Sequence, residues 1–288
     1  MSEDGAPPRK TSAQSGLTTL DFDLVSQHAA ELLEHTTWSR RQLVDYQQKR
    51  LKSALQAAVD ASSYYRQTIG DLVARNAPLA EFPVLTKREL MANFDHIITD
   101  PRLSRGAIER HIDGPDAGAL MLGEYRTAAT GGTTGERGVF VYNAQAWLSV
   151  IANTARFRRI LGALNSTRVI GIGAPSPIHL SNRFYAEFRA GRSDAPALDV
   201  TMPVGDVVEA LNTFQSEVVV TYPSFVRVLA QEQQSGRLRI SPRYFRSGAE
   251  TLTPDVRDLV RVTWNIPVFN PGMRAHVGHP LGRRPLSL

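Results

Sequence analysis

Along the first third of this 288-residue chain, apolar positions recur every three or four residues, the spacing of one face of an α-helix. Residues Asp23 to His35 and Ser39 to Ala61 both carry that period. In the second stretch Leu43, Tyr46, Arg50, Leu51, Ala54, Leu55, Ala58 and Val59 fall on one side, so two helices are predicted to pack near the start. Thr86-Lys87-Arg88-Glu89 has the form of a capping box, with the Thr86 hydroxyl and the Glu89 carboxylate each satisfying a free backbone N–H; it predicts a third helix running to about Phe94. From residue 139 the pattern changes. Val139 to Tyr142 reads as a short strand. Asn143 then caps a helix whose Trp147, Val150, Ile151, Thr154, Phe157 and Leu161 share a face, with Gly162 as its stop. Strands at Arg168–Gly173, Glu217–Tyr222, Tyr244–Ser247 and Pro267–Phe269 alternate with helices at Val207–Phe214, Ser224–Gln234 and Pro254–Val262. The last helix has a strong start signal: Thr253 as a side-chain cap, Pro254 in the first turn and Asp255 near the positive end of the dipole. Such alternation predicts a layered α/β fold with a largely parallel sheet.

Composition narrows the function classes. Hydrophobic residues make up 42% of the chain, enough for a sizeable core. The net charge of +5 comes from 33 basic residues spread among 28 acidic ones, with no basic stripe interleaved with aromatics, so no nucleic-acid partner is expected. The absence of cysteine excludes disulfides, thiolate metal sites and cysteine nucleophiles, and it fits a reducing compartment. The polar start has no apolar core of a signal peptide behind it, and no segment is long and apolar enough for a membrane; a cytoplasmic protein is the expectation. The chain divides on composition and period into a disordered leader over 1–18, a helical part over 19–125, an α/β nucleotide-binding part over 126–270 and an irregular tail over 271–288.

The run Thr130-Gly131-Gly132-Thr133-Thr134-Gly135-Glu136-Arg137-Gly138 packs four glycines and three threonines between two apolar stretches. Glycines let backbone N–H groups converge on an anion, and threonine hydroxyls add donors, which suits a phosphate. Taken locally, a glycine-rich hairpin turn explains the composition equally well. The spacing of a G-x-x-x-x-G-K-[ST] loop fails, since Glu136 and Arg137 stand where its second glycine would be. Gly171-Ile172-Gly173 is not a dinucleotide fingerprint either, because Pro175 interrupts and Ser176 takes the third glycine's place. His179, in a Pro/Ser loop, reads as a surface or satisfied buried histidine ahead of a ligand-facing one. His276 and His279, in the tail, read as solvated, and no metal ligand is assigned.

Taken in order, several segments are similar to one superfamily. Thr130-Gly131-Gly132-Thr133-Thr134-Gly135 resembles the T-S-G-T-T-G phosphate loop of adenylate-forming enzymes. Ser63-Tyr64-Tyr65-Arg66 and Phe82-Pro83-Val84-Leu85-Thr86-Lys87-Arg88-Glu89-Leu90 are similar to segments of the phenylacetate–coenzyme A ligase branch, as are Tyr222-Pro223-Ser224 and Ser247-Gly248-Ala249-Glu250. Ile266-Pro267-Val268-Phe269-Asn270 resembles the strand leading into that branch's Tyr-Gly-x-[Ser/Thr]-Glu motif. Together these cover roughly Gln47 to Asn270.

The resemblance implies an adenylate-forming N-terminal domain that activates a small carboxylic acid with ATP, releases pyrophosphate, and passes the acyl group to a thiol, usually coenzyme A, as AMP leaves. Magnesium would neutralise the phosphates. Thr130, Thr133 and Thr134 would donate to the β- and γ-phosphates, with Gly131, Gly132 and Gly135 permitting close approach. Ser247, Gly248, Ala249 and Glu250 would run beside the adenine, Tyr222 and Ser224 would line the acyl pocket, with Tyr222 equally readable as core at a strand end, and Asn270 is assigned to cofactor binding. Arg137 departs from the usual Pro or Lys, and Gly131 replaces a serine, which implies weaker phosphate binding. After Asn270 the likeness stops. The Arg-, Pro-, Gly- and His-rich tail implies truncation or a frame change, with the C-terminal lysine domain missing and adenylation weak. Two expectations therefore stand side by side: a carboxylate–CoA ligase impaired by truncation, and a non-catalytic nucleotide- or acyl-binding module. Either is expected to associate, as a homo-oligomer or with a complementing partner.

Overall fold

The structure is a computed structural model and describes residues 22–130, 137–161, 168–189 and 195–270. The leader, the tail with His276 and His279, Gly162, and loop residues Gly131, Gly132, Thr133, Thr134 and Gly135 lie outside them. The chain forms two compact units, Met1–Leu161 and Gly162–Leu288.

In the first unit, helices α1 (Phe22–Glu34), α2 (Arg40–Ala61), α3 (Ser63–Ala74), α4 (Lys87–Ala92), α5 (Phe94–Ile97) and α6 (Arg105–Asp113) precede strands β1 (Arg126–Ala129) and β2 (Val139–Tyr142) and helix α7 (Ala144–Ile160). Side-chain caps set the boundaries. Ser39 and Gln42 form a reciprocal capping box at α2. Ser62 leaves the helical region at φ −120°, accepts from the Tyr65 N–H at 3.3 Å and donates to the His96 carbonyl at 2.8 Å, so α2 and α3 part at a single residue. The expected capping box at α4 is present: the Thr86 N–H donates to Glu89 at 2.8 Å and the Glu89 N–H to the Thr86 hydroxyl at 3.2 Å. The Asn143 cap of α7 is also present, accepting from Ala146 N at 2.8 Å. Helix α1 runs along α7, and Trp147, Ile151 and Ala152 of α7 are buried, with the Arg126 guanidinium 5.5 Å from the Trp147 ring. Helix α2 differs from its periodicity: it contacts α3, yet none of its residues is buried and Leu51 is 39% exposed.

The second unit holds β3 (Val169–Gly173), α8 (Leu180–Arg189), β4 (Leu198–Asp199), α9 (Val204–Phe214), β5 (Val218–Thr221), α10 (Pro223–Gln234), β6 (Tyr244–Ser247), α11 (Pro254–Trp264) and β7 (Val268–Phe269). The five strands pair in parallel in the order β4-β3-β5-β6-β7, the α/β architecture the alternation predicts. Register fixes what each face carries. Ile170, Val219, Phe245 and Val268 lie side by side across four strands. All four are buried, in one cluster with Val207 and Leu211 of α9, Val226 and Leu229 of α10, and Val256 and Val260 of α11. One residue further on, the row is Gly171, Val220, Arg246 and Phe269; strand pleating turns it to the opposite face, where Phe184 and Tyr185 of α8 meet it. Helix α11 starts at Pro254 as expected, but Thr253 makes no side-chain cap bond. Its start rests instead on the fixed φ of Pro254 and on Asp255, which pairs with Arg227 of α10.

Candidate functional site

In an open parallel sheet, ligands settle outside the carboxyl ends of the strands, where successive crossovers leave in opposite directions. Here that point lies between β3 and β5, because the chain goes from β3 to β4 on one side and returns to β5 on the other. A cavity of about 110 Å³ stands there, lined by His179, Ser181, Phe184, Tyr185, Val220, Tyr222, Arg246 and Ser247 to Ala249. Its floor depends on glycine. The Tyr185 ring lies against β3 so closely that a Cβ on Gly171 would be 2.7 Å from the ring, and one on Gly173 would be 2.9 Å from it. The Gly-Ile-Gly pattern is therefore a seat for an aromatic ring.

Local structure turns the polar side chains inward. Tyr222 ends β5 immediately before Pro223, whose fixed φ opens α10. The Tyr222 hydroxyl accepts from the Ala174 N–H at 3.0 Å and lies 3.1 Å from Ser181 Oγ, which lies 2.8 Å from His179 Nδ1. Burial pushes the His179 pKa below its ordinary 6.5, and burial likewise pushes the Tyr185 phenol up to about 12.

The other residues proposed from sequence gather at the ends of β5, β6 and β7. Ser224 N–H and Oγ each donate to a Glu250 carboxylate oxygen at 2.9 Å, tying the start of α10 to the turn after β6. Asn270 Nδ2 donates to the Glu250 carbonyl at 3.1 Å, and the Ser247 hydroxyl donates to the Phe269 carbonyl at 3.4 Å. Between them, a Cβ on Gly248 would meet nothing within 4 Å, and Ala249 is held at φ 64°. The left-handed region costs an L residue about 1–2 kcal/mol, and glycine's extra unfolded freedom returns about half of that. Ala249→Gly is therefore expected to stabilise the protein by about 0.5–1 kcal/mol, read as a higher urea midpoint; a lower midpoint would mean that the methyl supplies packing worth more than the strain.

In the first unit, β1 and β2 pair antiparallel, Ala129 opposite Val139. Beside that pair Thr130 N–H donates to the Gly138 carbonyl, and Gly138 N–H donates back to Thr130 Oγ1, both at 2.9 Å. Lys87, opening α4, brings its ammonium to 3.4 Å from the same hydroxyl. Arg137 pairs with Asp113 at 2.7 Å.

The cavity has a volume of about 110 Å³, and the space beside Gly248 is open. Among the described residues no group of three His, Asp or Glu is arranged to hold a metal ion. None of the described helices is long and apolar enough to cross a membrane.

No protein-family profile and no curated protein sequence matches the chain. Solved structures do. A 2-hydroxyisobutyryl-CoA ligase in complex with 2-HIB-AMP and CoA, in the thioesterification state, aligns with a TM-score of 0.61 at 17% identity, over 83% of this chain and 50% of that one. An open conformation of the same ligase with 2-HIB-AMP and CoA gives 0.55 at 17% identity, over 79% of this chain and 53% of that one. Its postadenylation state with 2-HIB-AMP gives 0.57 at 16%, over 79% and 48%. The chain thus spans about half the length of this ligase, and over that span it has the ligase's α/β fold.

Proposed function

We propose that the chain serves carboxylate activation of the CoA-ligase kind and binds an acyl-adenylate. The acyl group occupies the cavity between His179 and Tyr222. The adenine lies along Ser247, Gly248 and Ala249, with Ser224, Glu250 and Asn270 holding that edge in shape. By resemblance, Thr130, Thr133, Thr134, Gly131, Gly132 and Gly135 of the first unit form a phosphate-binding run in their own right. In the reaction a carboxylate oxygen attacks the α-phosphorus and pyrophosphate leaves; the coenzyme A sulfur then takes the acyl carbon and AMP leaves. The observation that carries this reading is the cavity's place at the β3/β5 reversal, walled by both strand-end motifs, on a sheet with a CoA ligase's fold.

Calorimetry with a non-hydrolysable benzoyl-sulfamoyl adenosine tests it. Val220 lines the cavity from mid-sheet, so Val220→Phe is expected to weaken the mimic at least about tenfold while AMP binding holds, because bulk enters only the acyl space. Failure of the wild-type chain to bind the mimic would overturn the proposal. A binding-only role is favoured by Glu250, both of whose carboxylate oxygens already accept from Ser224; binding of the mimic without ATP–pyrophosphate exchange would select that role.

A further inference from the structure

Hydrogen-bond directions around the cavity can be worked out atom by atom. A backbone N–H can only donate, and the Ser181 N–H points to His179 Nδ1 at 3.4 Å, so that nitrogen carries a lone pair. Burial keeps the imidazole neutral, which places its single proton on Nε2. Ser181 Oγ–H then donates to Nδ1, and the Tyr222 hydroxyl, already accepting from Ala174 N–H, donates to Ser181 Oγ. Every hydrogen in that chain is committed. What remains for the cavity is His179 Nε2–H, which has no hydrogen-bond partner among the described residues.

Across the cavity the Tyr185 ring is wedged on Gly171 and Gly173, and its hydroxyl also has no hydrogen-bond partner among the described residues. Burial keeps that phenol protonated and so a donor. Arg246, 9% exposed and with its guanidinium 5.6 Å from the Phe184 ring, lies on the same wall. The rest of the lining is mostly apolar. Two donors with no hydrogen-bond partner among the described residues, beside Arg246, bias a space of about 110 Å³ toward a ligand acceptor, while the Ser181 and Tyr222 hydroxyls each already accept one hydrogen bond. A cavity of this order takes one small ring, as an apolar cavity of about 150 Å³ takes benzene. A donor facing such a wall is destabilising unless the ligand supplies an acceptor.

We propose that the cavity selects carboxylic acids whose acyl part is about the bulk of one ring and carries an acceptor oxygen, with His179 Nε2–H and the Tyr185 hydroxyl as the specificity-determining donors. This rests on the acyl-adenylate reading above and names the substrate class of that site.

The test uses four sulfamoyl-adenosine mimics, benzoyl and the 2-, 3- and 4-hydroxybenzoyl forms, titrated calorimetrically into the full chain and into Tyr185→Phe and His179→Phe. At least one hydroxylated mimic is expected to bind the wild type about tenfold or more tightly than benzoyl, as sites built to hydrogen-bond a substrate oxygen do. Tyr185→Phe keeps the ring on its glycine seat and removes only the hydroxyl, so the tyrosine arm stands even if His179→Phe fails to fold. Each variant is expected to bring the hydroxylated-to-benzoyl ratio toward one, and because the readout is a ratio, a general loss of affinity cancels. If all four mimics bind the wild type within about threefold, or if the preference survives in both variants, the specificity proposal falls and the acyl-adenylate reading stands. If none of the four binds the wild type, both fall.

Discussion

Phe245→Ala is expected to destabilise the second unit by about 3–5 kcal/mol. Phe245 is fully buried in the middle of the row formed by Ile170, Val219 and Val268, and its ring sits 4.8 Å from that of Trp264 on α11. Truncation removes the ring's transfer energy and leaves a void between strand and helix that the packed sheet cannot collapse to fill. Against a typical domain stability of about 5–15 kcal/mol, this is enough to unfold a large fraction of molecules at moderate temperature. Urea unfolding followed by far-UV circular dichroism measures it. Val262→Ala, at a position 71% exposed on the same helix, is the matched control and is expected to stay within about 0.5 kcal/mol. A Phe245→Ala midpoint equal to that of Val262→Ala would show that the row is not the centre of the core.

Gly171→Ala is expected to cost about 1–3 kcal/mol and to spoil the cavity. Glycine-to-alanine changes ordinarily gain about 0.4–1 kcal/mol by restricting the unfolded chain, so the sign here depends on the clash. The new methyl would stand 2.7 Å from two carbons of the Tyr185 ring, whose motion is limited by its own burial. Gly205 on α9 has open space around the same atom, so Gly205→Ala is expected to move the other way, toward about 0.5 kcal/mol of added stability. The pair is read by thermal unfolding together with near-UV dichroism, which reports whether Tyr185 has moved. A neutral Gly171→Ala with an unchanged tyrosine signal would mean that the ring has room to retreat.

The parts of this fold that were legible in the sequence are those where local pattern and long-range packing agree. Val218-Val219-Val220 could be only a buried strand, and Pro254 with Asp255 marks the start of α11 even though Thr253 makes no cap bond. Strand β1 is fully buried over four residues and shows no alternation, so period gives no sign of it. Helix α8 follows two prolines and a histidine that read as loop, and it carries Phe184 and Tyr185 of the cavity wall. Arg246 was hidden for a different reason: a charge in a buried strand contradicts hydropathy, and only the sheet register reveals that it faces the cavity. His179 was expected to be a satisfied or surface histidine. One nitrogen is indeed satisfied, by Ser181, while the ring as a whole borders the cavity. Tyr222, Ser224, Ser247, Glu250 and Asn270 were named by resemblance, and the strand order brings them together at one edge.

The glycine seat under Tyr185 also bears on how this cavity can be remodelled. A strand residue that touches an aromatic face with its bare Cα has no side chain to exchange, so laboratory evolution starting from β3 has almost nowhere to go. Diversity has to enter from α8, where trading Tyr185 or Phe184 for smaller side chains deepens the space without disturbing the sheet. A library built on those two helix positions, with both glycines left alone, would sample ligand size over the widest range for the fewest lost folds.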